Sequence, residues 1–306
     1  MINALGNYIG FGQAESLFLG GGATNVDIDA TYAYIQIAFI SGSTATTNGT
    51  GSFTFPTSKQ VEYLVIAGGG GGGMTSAGGG AGGFSTGSLL IPGNALVQGI
   101  VGRGGTGALG FPSPRTGSGE TGLDSILSGQ FTTITSFGGG GGGGLGTNIG
   151  CNGKNGGSGG GAGLDANIDA ANTGSFVVGQ GFQGGTSIGS FDNTTSAGGG
   201  GGGAKGAGGN APNQNTAGVG GLGVSSTLTG ATLTYSGGGG AVQQNSVTDT
   251  YGAANAVGRG ANGGESAADG TGGGGGGSSQ LTSPGFGNGG SGIILIRYNK
   301  NQTDLI

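Results

Sequence analysis

Five uninterrupted glycine runs, at residues 68–73, 138–144, 198–203, 237–240 and 272–277, constrain this chain more than any other feature. Interrupted versions occupy 78–83, 156–163, 206–209 and 285–290, and the interruptions are mostly alanine, serine or asparagine. Glycine supplies 89 of 306 residues, against an average usage of about 7%. Most of the side chains that would fill a core are therefore missing. Glycine also loses more conformational freedom on ordering than any other residue, and fixing one residue costs about 1–2 kcal/mol. Something other than side-chain burial has to compensate. A flexible coil is the usual fate of Gly/Ser tracts, but the remaining residues oppose it. Only 7% are charged, and Phe, Tyr, Ile, Leu and Val gather in short β-prone blocks.

A polyproline II-type helix has three residues per turn, rises about 3.1 Å per residue and makes no internal hydrogen bonds. Several such helices side by side can satisfy each other's peptide groups if no side chain holds them apart. Only glycine permits that on every side, and Cα–H···O contacts add a small term. The runs are thus expected to pack as polyglycine II helices, a six-residue run extending about 19 Å. Alanine or serine within a run is expected to mark a face turned outward. The irregular run starts exclude a solenoid of fixed period. Collagen is excluded because glycine does not recur at every third residue.

Between the runs, alternating or continuous apolar blocks predict strands at 32–40, 52–55, 61–66, 84–91, 95–101, 131–137, 227–235 and 293–298. Turn signals lie at 56–59 and at Pro92-Gly93-Asn94. The expected fold is mainly β with irregular structure: a β-sandwich-like framework packed with a bundle of polyglycine II helices, and little or no α-helix. Residues 1–45 read as an attachment or pairing segment or as a first strand of the same domain, 46–300 as the glycine-rich domain, and 301–306 as a tail.

Composition argues against most chemistry. Net charge is −5 and the eight basic residues are scattered singly, so no basic patch for nucleic acid is expected. Without histidine, Ser-His-Asp triads, Cys-His dyads and the common zinc sites cannot form. Cys151 has no partner for an intrachain disulfide and reads as a small residue beside a turn. Lys154 is followed by Asn155 and preceded by Asn148 at the spacing a P-loop reserves for glycine, so that motif fails. Residues 160–165 match the opening of a calcium-binding repeat, but Asn167 breaks it and no tandem copy follows. The carboxylate pairs Asp165/Asp169 and Glu265/Asp269 lack an apolar frame and read as solvated loop residues. No enzyme activity, cofactor or metal is expected. No basic residue precedes Lys59 and the longest apolar block is too short to span a bilayer, so neither export nor membrane insertion is expected.

The string Val61-Glu62-Tyr63-Leu64-Val65-Ile66-Ala67 leading into a glycine run, and the closing Gly289-Gly290-Ser291-Gly292-Ile293-Ile294-Leu295-Ile296-Arg297-Tyr298, resemble the glycine-rich domain family. The middle piece Leu90-Ile91-Pro92-Gly93, with Ile100-Val101-Gly102-Arg103, is similar too, so the likeness covers roughly 50–300. Such domains occur in phage tail and other virion proteins and in some bacterial surface proteins. A more distant likeness is to the long-tail-fibre tip adhesins of T-even phages, in which end loops of a polyglycine II bundle contact the bacterial receptor. The resemblance implies a virion protein, assembled in host cytoplasm and released by lysis. It would be a tail-fibre or fibre-tip adhesin displaying host-recognition loops. Alternatives are an architectural capsid-decoration or head-fibre protein, and an ice-binding or cell-surface protein. By this analogy receptor contacts would come from Phe111, Arg115, Asn148, Asn152, Phe191, Asn193, Asn213, Gln244 and Tyr251. Attachment to other virion proteins would use Tyr8, Phe11, Phe18, Tyr32, Tyr34 and Phe39. A bacterial surface receptor and a second copy of the chain are the remaining partners it allows.

Overall fold

The computed structural model describes residues 17–38, 48–74, 77–108, 117–146, 151–165, 172–189, 195–245, 250–251, 260–278 and 287–302. The first nine strands are β1 (Phe18–Gly21), β2 (Ala23–Asp27), β3 (Tyr32–Ala38), β4 (Gly49–Thr54), β5 (Lys59–Ile66), β6 (Phe84–Ile91), β7 (Val97–Val101), β8 (Ser125–Gly129) and β9 (Phe131–Ser136). Shorter ones follow: β10 (Leu145–Gly146), β11 (Leu164–Asp165), β12 (Thr195–Ala197), β13 (Val224–Ser226), β14 (Leu233–Tyr235), β15 (Val242–Asn245) and β16 (Thr250–Tyr251). The chain closes on β17 (Ile293–Asn299). No α-helix occurs among the described residues.

Two open antiparallel sheets, in the orders β1-β4-β7-β8-β9 and β2-β3-β17-β5-β6, pack face to face. Period-2 alternation explains why. In β3, Ala33, Ile35 and Ile37 turn inward and are fully buried, while Tyr32, Tyr34, Gln36 and Ala38 turn outward. The inward rows of both sheets, including Phe53, Val61, Val97, Leu127, Ile294 and Ile296, form one core. Each such side chain contributes about 1.5–3 kcal/mol on burial. The outer face of the second sheet is half covered. The β13–β14 hairpin lays Leu228, Leu233 and Tyr235 over Leu64, Ile66, Ile293 and Leu295.

The glycine segments form a second body continuous with this sandwich, held by backbone hydrogen bonds of three-residue period. The segment leaving β5 shows the rule. The N–H groups of Gly68, Gly71 and Met74 donate to the carbonyls of Leu123, Glu120 and Gly117. Those of Gly69 and Gly72 donate to Gly290 and Gly287, and those of Ala67, Gly70 and Gly73 to Gly83, Gly80 and Ala77. Its carbonyls accept from three further segments: Gly68 and Gly71 from Gly139 and Gly142, Gly69 and Gly72 from Gly105 and Ala108, Gly70 and Gly73 from Gly275 and Ser278. Six neighbours thus surround it, three antiparallel ones accepting from its N–H groups and three parallel ones donating to its carbonyls. The segment at 198–203 is likewise bonded to six others. Every peptide N–H of the two segments is paired, as burial requires.

The expected strands at 61–66, 84–91 and 293–298 appear as β5, β6 and β17. Two expectations need correction. The block at 227–235 is not one strand but the turn and second strand of a hairpin, because Gly230 at φ +85° reverses the chain between β13 and β14. Alanine and serine within runs do not always face outward: Ala207 is exposed, but Ala81, Ser158 and Ala162 are fully buried. The lattice accommodates them where a neighbour is bare. Ser158 points its Oγ into the space Gly181 leaves without a Cβ, and Ala162 packs on Cys151.

Candidate functional site

The glycine segments run between two levels. At the proximal level they join the sandwich: β5, β7 and β9 feed segments beginning at Ala67, Gly102 and Phe137, and segments ending at Gly83, Asp124 and Gly292 feed β6, β8 and β17. At the distal level they end in a rim of described residues bonded to one another. Met74 donates to Gly117 and bridges Ser278. Ala108 donates to Gly72, Gly163 to Cys151, and Gly153 to Asn172. Leu145 pairs with Leu164, and Ile188 with Ala197.

This rim gathers what the sequence left scattered. Phe111, Arg115, Asn148, Phe191 and Asn193 lie outside the described residues. The described residues that flank their connectors, however, are rim residues: Ala108 and Gly117, Gly146 and Cys151, Gly189 and Thr195. Gln244 and Tyr251 stand on β15 and β16, which extend the distal end of the segment at 236–242; Gln244 pairs with Ser196. Asn213 is exposed in the described distal turn, where its Oδ1 accepts the N–H of Asn215 at 2.9 Å. Asn152 also reaches the rim, but its Oδ1 is engaged by the N–H of Asn172 at 2.8 Å.

The described attachment candidates, Phe18, Tyr32 and Tyr34, lie on the sandwich and not on the rim. Tyr8, Phe11 and Phe39 lie outside the described residues. Phe18 is largely exposed on the edge strand β1, and Tyr32 stacks under Arg297, whose guanidinium carbon is 5.6 Å from the ring centre. Tyr34 is half-buried on the outer face of β3. Strands β1 to β3 are woven into both sheets, β3 lying between β2 and β17.

Sequence reasoning missed a set of side chains that stand in for backbone carbonyls at the lattice margin. Asn155 Oδ1 accepts from Ser175 N–H at 2.9 Å, Asn210 Oδ1 from Thr186 at 2.9 Å, and Asn288 Oδ1 from Gly107 at 2.8 Å. Asp124 Oδ1 does the same for Gly138 at 2.8 Å. The available signal was asparagine beside or within glycine runs, an amide placed where a peptide carbonyl would otherwise be needed. Among the described residues of the glycine body, Glu120 is the carboxylate with a perturbed pKa. The Thr106 hydroxyl, and to a lesser degree Arg103 at 3.5 Å, hold its pKa below the usual glutamate value.

A family model described as a glycine-rich domain matches residues 45–299. The chain belongs to the glycine-rich domain family. The match takes in β4 through β17 and every glycine segment, so the lattice and most of the sandwich are its shared part. Strands β1 to β3 precede it and complete the two sheets of this glycine-rich domain. No curated protein sequence matches the chain.

Proposed function

We propose that this glycine-rich domain is a non-enzymatic structural protein of a bacteriophage virion, a tail-fibre or fibre-tip adhesin that displays recognition loops on a rigid polyglycine II scaffold. One observation carries the reading: the described flanks of its aromatic and Asn-bearing connectors converge on a single distal rim, with the sandwich and its N-terminal strands at the other end. The three-residue period of the hydrogen bonds supports the polyglycine II reading, because that helix repeats every three residues. Loops held on a rigid scaffold are where binding residues concentrate, and a two-ended molecule suits a part that docks at one end and touches a host surface at the other. The virion location rests on the family resemblance.

Replacing residues 109–116 and 190–194 by Gly/Ser linkers of equal length, and measuring binding of the labelled protein to a panel of bacteria, tests this. Loss of cell binding at unchanged melting temperature supports the adhesin. Retained binding overturns the assignment to these loops. Failure of the parent protein to bind any cell, with immunogold label on the capsid instead of the tail, replaces it with an architectural capsid role.

A further inference from the structure

A cavity of about 480 Å³ lies where the sandwich, the β13–β14 hairpin and the turn at 269–270 meet. It is remote from the distal rim, and its reading is independent of the proposed adhesin function. The volume falls within the range of about 300–1,000 Å³ usual for small-molecule sites, and junctions between structural units are where such sites concentrate. Its floor is the outer face of the second sheet, Ile293 and Leu295, with Leu233 of the hairpin as an apolar wall. Tyr34 and Gln36 stand two apart on β3, so both project from that face beside the floor. Asp269 closes the third side.

Gln36 has no side-chain partner among the described residues and is half-buried, so its amide is available to a ligand. Asp269 is fixed in place because its Oδ1 accepts the N–H of Ser291 at 3.1 Å, which leaves Oδ2 directed elsewhere. No cationic side chain lines the cavity among the described residues. We infer that this cavity is a binding site for one neutral saccharide ring. A pyranose has an apolar C–H face and a rim of hydroxyls that both donate and accept. The apolar floor and the Tyr34 ring match the first. An amide, which donates and accepts, and a carboxylate, which accepts, match the second. An anionic sugar would meet a carboxylate and no compensating cation, which disfavours it.

Saturation-transfer NMR with the methyl glycosides of glucose, galactose and N-acetylglucosamine, and with the anionic methyl glycoside of N-acetylneuraminic acid, tests the site on the full chain. At least one neutral glycoside should bind saturably. Gln36→Ala and Asp269→Asn should each weaken it about tenfold at unchanged melting temperature; the Asn variant keeps the acceptor for Ser291. Asn213→Ala, at the distal rim, should leave binding intact. Absence of saturable binding by every neutral glycoside overturns the inference. So does binding indifferent to both cavity variants, or a preference for the anionic sugar.

Discussion

Gly200 presents a bare Cα to the carbonyl of Val219, and a methyl group built on it would fall well inside contact distance of that oxygen. The obstacle is backbone in a neighbouring segment, which cannot rotate away as a side chain could. Gly274 stands in the same relation to the carbonyl of Gly79. Overpacking a core costs about 1–3 kcal/mol, and a rigid obstacle places these sites at the upper end. Gly200→Ala and Gly274→Ala should each lower the melting temperature by about 5 °C or more, and valine should do worse. Gly206 is the control. A Cβ there meets Leu222 only at 3.4 Å, and its φ is not positive. Gly206→Ala should therefore be neutral or stabilising by about 0.4–1 kcal/mol, through the unfolded chain. Equal losses at all three sites would refute the lattice.

Within the sandwich the same chemistry has a different remedy. Gly51 and Gly99 are cross-strand partners on β4 and β7, and both face inward. Ile37 of the opposite sheet fills the space they leave, its Cδ1 lying 2.5 Å from where a Cβ of Gly99 would be. That atom is the end of a flexible side chain. Gly99→Ala should cost about 1–3 kcal/mol and Ile37→Val about 0.5–1.5 kcal/mol. The double variant should cost less than the sum, since valine removes the obstructing methyl. Strict additivity in a urea-denaturation cycle would show that the two residues do not share this space.

Asparagine at the lattice margin tests whether amide side chains replace peptide carbonyls. Asn288→Ala removes the acceptor of the Gly107 N–H and should cost about 1–3 kcal/mol, the penalty for stranding a buried donor. Asn288→Asp keeps the acceptor oxygen and should lose less. An alanine variant as stable as the parent would mean that water serves that N–H equally well.

How much of this was legible follows from where side chains exist. The bounds of β6 and the bodies of β5 and β17 are written in apolar runs next to glycine. Strand β8 escaped notice because Ser125-Ile126-Leu127-Ser128 is too short to establish a period. Pro56-Thr57 and Pro92-Gly93 were readable as turns, but each carries the chain from one sheet to the other, from β4 to β5 and from β6 to β7, and a turn signal alone does not separate a corner from a hairpin. The register of the glycine segments could not be read at all. It is set by peptide groups that are identical along each run, and few side chains mark it, among them Asn152, Asn155, Asn210, Asn288 and Asp124. For the same reason the convergence of the connectors on one rim emerges only once strand order fixes the direction of each segment.

Acid should weaken the fold in part through Glu120. Its carboxylate accepts from the Thr106 hydroxyl and lies beside Arg103, so its pKa is lowered on folding. A lowered carboxylate pKa stabilises the native state above the unfolded value, and that contribution disappears as pH falls through the folded value. The urea midpoint should therefore drop below about pH 4.3, the ordinary glutamate value. The drop should be shallower in Glu120→Gln, and also in Thr106→Val, which brings the folded pKa of Glu120 back towards its unfolded value. Parallel profiles for the parent and Glu120→Gln between pH 3 and pH 7 would remove Glu120 from the account.

Amide exchange offers the sharpest contrast within one molecule. The segments at 68–73 and 198–203 have six neighbours each, and their N–H groups donate into the interior of the body. Exposed margins differ: Val219 and Leu222, three residues apart, are partly open to solvent, so one row of that segment faces outward at the three-residue period. Exchange from the two enclosed segments requires breaking apart several neighbours at once and should approach the global unfolding free energy, whereas the outward row should exchange by local opening. Protection factors measured by NMR on a uniformly ¹⁵N-labelled sample should thus rank the enclosed segments with the strands β5 and β17. Exchange of residues 68–73 at free-coil rates would leave the glycine body without the hydrogen bonds that define it.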